Sequence, residues 1–178
     1  LCLKATQLIF GYLPRAYRDG CDQEARFHMQ NAAAIAGLGF GNSMASLAHG
    51  MGHALGGIFH VPHGRAVALF LPYTIEYCAN EPGASRYADL ARFLGLPGGS
   101  DREGAASLTA AVRDLERELG QPLTIAECGL SRAELEEQLD LLVANALNDT
   151  QTIMATRIPE SEDLRRLFLA AYDGAPVD

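Results

Sequence analysis

Four of the chain's five histidines fall within eighteen residues, LAHGMGHALGGIFHVPHG from Leu47 to Gly64, together with five glycines. Imidazole is a common ligand for zinc, iron and related ions, and it also carries protons near neutral pH. His49 and His53 are four apart, so on one helix their rings share a face; His63 follows a loop that can fold it back toward them. The spacing departs from the zinc-protease pattern HExxH, because Gly50 stands where that pattern has its glutamate base. Gly50, Gly52, Gly56 and Gly57 each oppose helicity by about 1 kcal/mol, roughly 3 to 4 kcal/mol together. Something must need the missing side chains, and close approach of another helix or of a flat ligand are the two physical reasons. The same histidines are equally readable as packing groups in a tight helix crossing.

Other polar residues are weaker candidates. Glu24 and His28 are also four apart, an arrangement commonplace on helix flanks, and His60 sits in the loop between Phe59 and Val61. Cys2, Cys21, Cys78 and Cys128 form no CxxC and read as reduced, mostly core thiols. PGGS at Pro97–Ser100 is a turn between helices, not a phosphate loop after a strand.

The elements that position these groups read as helices throughout. Leu3–Tyr17 is periodic, with Pro14 expected to kink or end it. Asp22 caps a second helix whose broad apolar surface predicts deep burial, and Ser43 caps a third that runs to about Gly57. VPHG reads as a loop before a fourth helix, Arg65 to Cys78, interrupted at Pro72. ASRYADLARFLGL, AASLTAAVRDLERELG, SRAELEEQLDLLVANAL and SEDLRRLFLAAYDG follow as amphipathic helices, the last two each opened by a serine. No stretch alternates with period two. The expectation is an all-α bundle of seven or eight helices forming one domain over residues 1–178.

A net charge of −8 with scattered basic residues argues against a nucleic-acid surface. No apolar run approaches a membrane span and no signal peptide is evident, so a cytoplasmic protein is expected. The chain starts at Leu1 inside a helix-like pattern, as though cut from something longer.

HGMGHALGGIFHVPHG resembles the signature of the iron-containing alcohol dehydrogenase family, H-x3-H-x3-G-x5-PHG, at His49, His53, Gly57 or its neighbour Gly56, and Pro62-His63-Gly64. The flanks EARFHMQNAAAIAGLGFGN and AVALFLPYTIEYCAN resemble the family's adjoining helices. The resemblance implies the C-terminal helical, metal-binding domain of a fold shared with the dehydroquinate synthase-like proteins. It also implies a cofactor of iron, or of zinc in some members, with NAD or NADP held by a separate N-terminal domain that this sequence lacks. By the resemblance His49 and His63 match metal ligands, His53 matches the proton-relay or orienting histidine near metal and nicotinamide, and Phe40 matches an aromatic wall of the substrate pocket. The substrates implied are alcohols and aldehydes or ketones, in an enzyme that forms a homodimer. The family's other two ligands, spaced D-x3-H, have no counterpart near Leu1, so the chain alone is expected to hold metal weakly and turn over little. Two other readings stay open: a non-enzymatic helical module that binds a partner domain, and a metal-dependent hydrolase completed by His60 or His28.

Overall fold

The computed structural model describes residues 1–81 and 86–177. Among them are eight helices and no strand: α1 Cys2–Arg18, α2 Gln23–Phe40, α3 Leu47–Phe59, α4 His63–Ala79, α5 Tyr87–Phe93, α6 Asp101–Glu118, α7 Arg132–Asn148 and α8 Ser161–Asp173. Short 3-10 turns lie at Ala126–Cys128 and Thr152–Met154. The all-α expectation holds.

Several boundaries follow the capping chemistry read from the sequence. The Asp22 carboxylate accepts the Ala25 N–H at 3.0 Å and Ser131 and Glu134 form a reciprocal capping box, whereas α6, expected from AASL at Ala105, starts earlier at Asp101 because the Ser100 hydroxyl accepts the Glu103 N–H. Others differ. α3 starts after Ser46, not Ser43, because Met44 and Ser46 have φ of 63° and 66°, outside the right-handed helical region. VPHG is only half a loop: Pro62 precedes the first turn and His63 is the first residue of α4. Pro14 and Pro72 both lie inside continuous helices, and around Pro72 the Thr74 hydroxyl donates to the Phe70 and Leu71 carbonyls. α8 is opened by Glu160 paired with Asp163, not by Ser161. Residues 82–85, within the segment read as NEPG and ASRYADLARFLGL, lie outside the described residues.

α4 is the axis of the core, flanked by α3, α6 and α8, while α7 packs against both α3 and α8. Met51 and Leu55 of α3, Phe70 and Tyr73 of α4, Leu142 of α7 and Phe168 of α8 are all fully buried there. Phe70 and Phe168 meet edge to face at 5.4 Å. This core fixes the orientation of α3 and the start of α4, which carry the histidines.

The α1–α2 pair is different. Tyr12 stacks on His28 at 4.0 Å and Arg15 bonds Asp22 and Glu24, so the two helices run antiparallel as a hairpin. α2 was expected to be deeply buried; instead only Ala25 and Ala32 are, and Phe27, Leu38 and Phe40 are exposed, because α2 packs substantially on α1 alone. Phe27 and Leu38, eleven residues apart, share an exposed side of α2. Of the cysteines, Cys78 is buried but Cys2 and Cys21 are exposed, so they are not mostly core groups; all four are free. No described helix is long and apolar enough to cross a membrane.

Candidate functional site: a histidine cluster on α3 and α4

On α3 the buried positions face α4 and α7, leaving one stripe toward solvent: half-buried His49, then His53, Gly57 and His60, all exposed. The tight turn through His60, at φ 58°, and Pro62 brings His63 back to this stripe. The three ring centres are mutually close: His49–His53 5.7 Å, His49–His63 5.5 Å and His53–His63 5.2 Å. The convergence expected of these residues is thus present.

The glycines show how it is achieved. A Cβ on Gly52 would lie 2.9 Å from the Val67 Cα, and one on Gly50 would lie 2.0 Å from the Thr152 Oγ1. Both vacancies are filled by protein: Gly52 lets α4 approach, and Gly50 admits the turn after α7. Gly57 has nothing within 4 Å of its absent Cβ, so beside His53 the helix surface is bare. Of the two reasons considered for the glycines, helix approach accounts for Gly52, the Thr152 turn takes the space at Gly50, and Gly57 leaves a flat open face.

Two imidazoles on one tetrahedral ion at about 2.1 Å, each ring centre roughly 1.1 Å behind its nitrogen, have centres about 5.3 Å apart. The His49–His63 separation of 5.5 Å, with planes tilted by 59°, fits such a pair. Burial, then the neighbouring His53 and His63 charges, hold His49 below the ordinary imidazole range, which favours the neutral ring that ligates. Among the described residues, however, no three His, Cys, Asp or Glu side chains form a metal-binding group. The cluster fits half of a coordination sphere.

Sequence reading missed one member. Asp149, at the end of α7, places Oδ2 2.7 Å from His53 Nδ1. Its other oxygen accepts the Gln151 N–H at 2.8 Å. Burial pushes this carboxyl up, but the Gln151 N–H and His53 outweigh it and hold Asp149 below the usual carboxylate range. Only an acid directly after a helix end marks it in the sequence, and nothing local links it to a histidine ninety-six residues away.

The remaining candidates lie elsewhere. His28 stacks on Tyr12 and Glu24 pairs with Arg15, so they form no local ligand pair. His60 is the exposed C-cap of α3, and neither it nor His28 joins His49 and His63 in a three-ligand group, which removes the feature the hydrolase reading required. Phe40 ends α2 and is half exposed. A cavity of about 600 Å³, lined among others by Phe10, Leu71, Ile75, Val112 and Glu116, separates α1 from α4 and α6 and contains none of the histidines.

Fold and site together define an all-helical domain whose exposed α3 face is built of histidine and glycine. Residues 1–172 match the Fe-containing alcohol dehydrogenase family, C-terminal, and the chain belongs to that family. It is 32% identical to the NADPH-dependent butanol dehydrogenase of Clostridium saccharobutylicum over 100% of this chain and 45% of that protein. It is 36% identical to the bifunctional aldehyde-alcohol dehydrogenase of Escherichia coli (strain K12), over 97% of this chain and 21% of that one. Among solved structures, the alcohol dehydrogenase from Oenococcus oeni superposes with a TM-score of 0.88 at 35% identity, covering 96% of this chain and 44% of that chain. The iron-containing alcohol dehydrogenase from Thermococcus thioreducens superposes at 0.86 and 29% identity, covering 97% and 43%. The chain spans less than half the length of these relatives.

Proposed function

We propose that this chain is the metal-holding part of an NAD- or NADP-dependent alcohol dehydrogenase interconverting alcohols with aldehydes or ketones. The observation that carries the reading is the convergence of His49, His53 and His63 beside the bare Gly57 surface, in a chain of this family. His49 and His63 would hold the ion, iron first and zinc as the alternative, with the remaining ligands supplied from outside the described residues. When bound, the metal supplies Lewis-acid polarisation of the oxygen on the carbon that exchanges hydride with nicotinamide. His53, 41% exposed, is accessible to a bound alcohol and moves its hydroxyl proton. Gly57, four residues on, leaves room for a flat ring against the helix. Phe40 would form an aromatic wall of the substrate pocket, and a nucleotide-binding α/β domain would be the partner, in a homodimer.

The isolated chain should hold metal weakly and turn over little, since two imidazoles are half a sphere. Titration with cobalt(II), followed by its visible absorption, should give a weak signal that disappears in His49→Ala and His63→Ala and persists in His60→Ala. A signal indifferent to His49 and His63 would overturn the ligand assignment, and turnover by the isolated chain with Fe(II), NAD(P)H and simple aldehydes would overturn the half-site reading. Joined in frame to a nucleotide-binding domain that supplies the other two ligands, the chain should oxidise simple alcohols. Failure there, with metal bound, would favour a non-enzymatic helical module.

A further inference from the structure

The Asp149 carboxylate is fixed on both sides. Oδ1 is occupied by the Gln151 N–H, and the Gln151 side-chain oxygen in turn accepts the Ala45 N–H at 2.7 Å, just before α3. The same turn is anchored beneath by Thr152, whose hydroxyl donates to the Ala146 carbonyl at 2.6 Å in the space that Gly50 leaves open. Asp149 therefore has one oxygen, Oδ2, free for a further partner, and that oxygen faces His53 Nδ1 at 2.7 Å. The carboxylate is only 18% exposed, so water competes poorly for it.

An ionised carboxylate accepts and cannot donate, so the proton between the two groups sits on His53 Nδ1. The neutral ring then has a single acceptor, Nε2, on its far side from Asp149. We infer that Asp149 is the positioning residue of His53: it fixes the Nδ1–H tautomer and the ring plane, making Nε2 the nitrogen that takes the hydroxyl proton from an alcohol and returns it in the reverse direction. The kinetic part of this inference rests on the dehydrogenase reading above; the tautomer part does not. It also assigns a purpose to Gly50. A side chain there would displace the Thr152 turn, and with it the carboxylate.

The decisive variant is Asp149→Asn. Because the Gln151 N–H claims the oxygen at the Oδ1 position, the new amide must turn its NH2 toward His53. A donor facing Nδ1 drives the ring to the opposite tautomer, with the proton on Nε2, as when the aspartate partner of a catalytic histidine is replaced by asparagine. Long-range 1H–15N correlation of the 15N-labelled chain at mildly alkaline pH, with the His53 signals assigned by their loss in His53→Gln, reads the tautomer directly. The expected result is Nδ1–H in the natural chain and Nε2–H in Asp149→Asn. An Nε2–H ring in the natural chain overturns the inference whether or not the variant folds, and so does an unchanged tautomer in a folded variant.

In the chain joined to its nucleotide-binding domain, Asp149→Asn should lower kcat roughly 10- to 100-fold with little change in KM. A switched tautomer with unchanged kcat would overturn the assignment of Nε2 as the proton acceptor. A joined enzyme with no turnover even before substitution would instead overturn the dehydrogenase reading, and the kinetic half with it, while the tautomer result stands.

Discussion

The α3–α4 pair and the α1–α2 pair are each two helices joined by a short connection, yet they are held by different forces. In α3 seven of thirteen residues are buried and in α4 nine of seventeen, with Gly52 against the Val67 backbone where they come closest. In α1 and α2 only Ala5, Leu8, Ala25 and Ala32 are buried, and contact is made by the Tyr12–His28 stack and the Arg15 ion pairs. Exposed pairs of that kind contribute about 0 to 1 kcal/mol each, against about 1.5 to 3 kcal/mol for each large apolar side chain fully buried. The lesson concerns precision. The helix that bears the histidines is locked by a core on one side, so its other side can carry polar groups and bare glycine without losing its position.

The largest test falls at the seam between the pairs. Glu116 on α6 lines the cavity between α1 and α4, its two oxygens buried without a hydrogen-bond partner. Burial pushes its carboxyl up to about 8, with Arg113 and Arg117 pulling the other way. Below the ordinary value of 4.5 both folded and unfolded chains hold the proton. Between there and about 8 only the folded chain does, so stability falls as pH rises through that window and levels off above it, by up to about 5 kcal/mol. Urea unfolding at about pH 5 and about pH 9 should show the loss in the natural chain and a much flatter response in Glu116→Leu. Equal slopes in the two would mean that water or a ligand already satisfies the carboxylate.

Within the locked pair, Gly52→Ala should destabilise by about 3 kcal/mol, because the new methyl meets the Val67 backbone, which cannot swing aside. The midpoint of urea unfolding measures it. A neutral result would show that α3 and α4 slide apart freely, and the contrast between the pairs would fail.

The smallest effect has the opposite sign. Gly37 in α2 has nothing within 4 Å of an added Cβ, so Gly37→Ala should stabilise by about 0.5 to 1 kcal/mol through helix propensity alone. A loss of stability instead would mean that α2 has a covering partner in solution, a second copy on its Phe27–Leu38 side being the one sedimentation velocity would detect.

Much of this was legible in the chain. The 3.6-residue periodicity produced the helices, Asp22 and Ser131 produced their own caps, and the histidine spacing placed His49 and His53 on one face. Pro72 misled, since α4, held on several sides by the core, absorbs a missing hydrogen bond that would end an isolated helix. α2 misled because apolar composition states what a helix can bury, and not whether anything covers it. Ser43 and Ser161 misled because their neighbours' backbone angles and side chains, Ser46 and Glu160, took the capping position.

By itself, then, the sequence determined the helices, the stripe of histidines and the demand for bare backbone between them, because each is a local consequence of residue type and spacing. Only the tertiary structure decided that Gly50 and Gly52 serve a turn and a helix while Gly57 stays open, and that Asp149 closes on His53 from ninety-six residues away. Those pairings depend on how α3, α4 and α7 cross, and a crossing is fixed by the whole core at once.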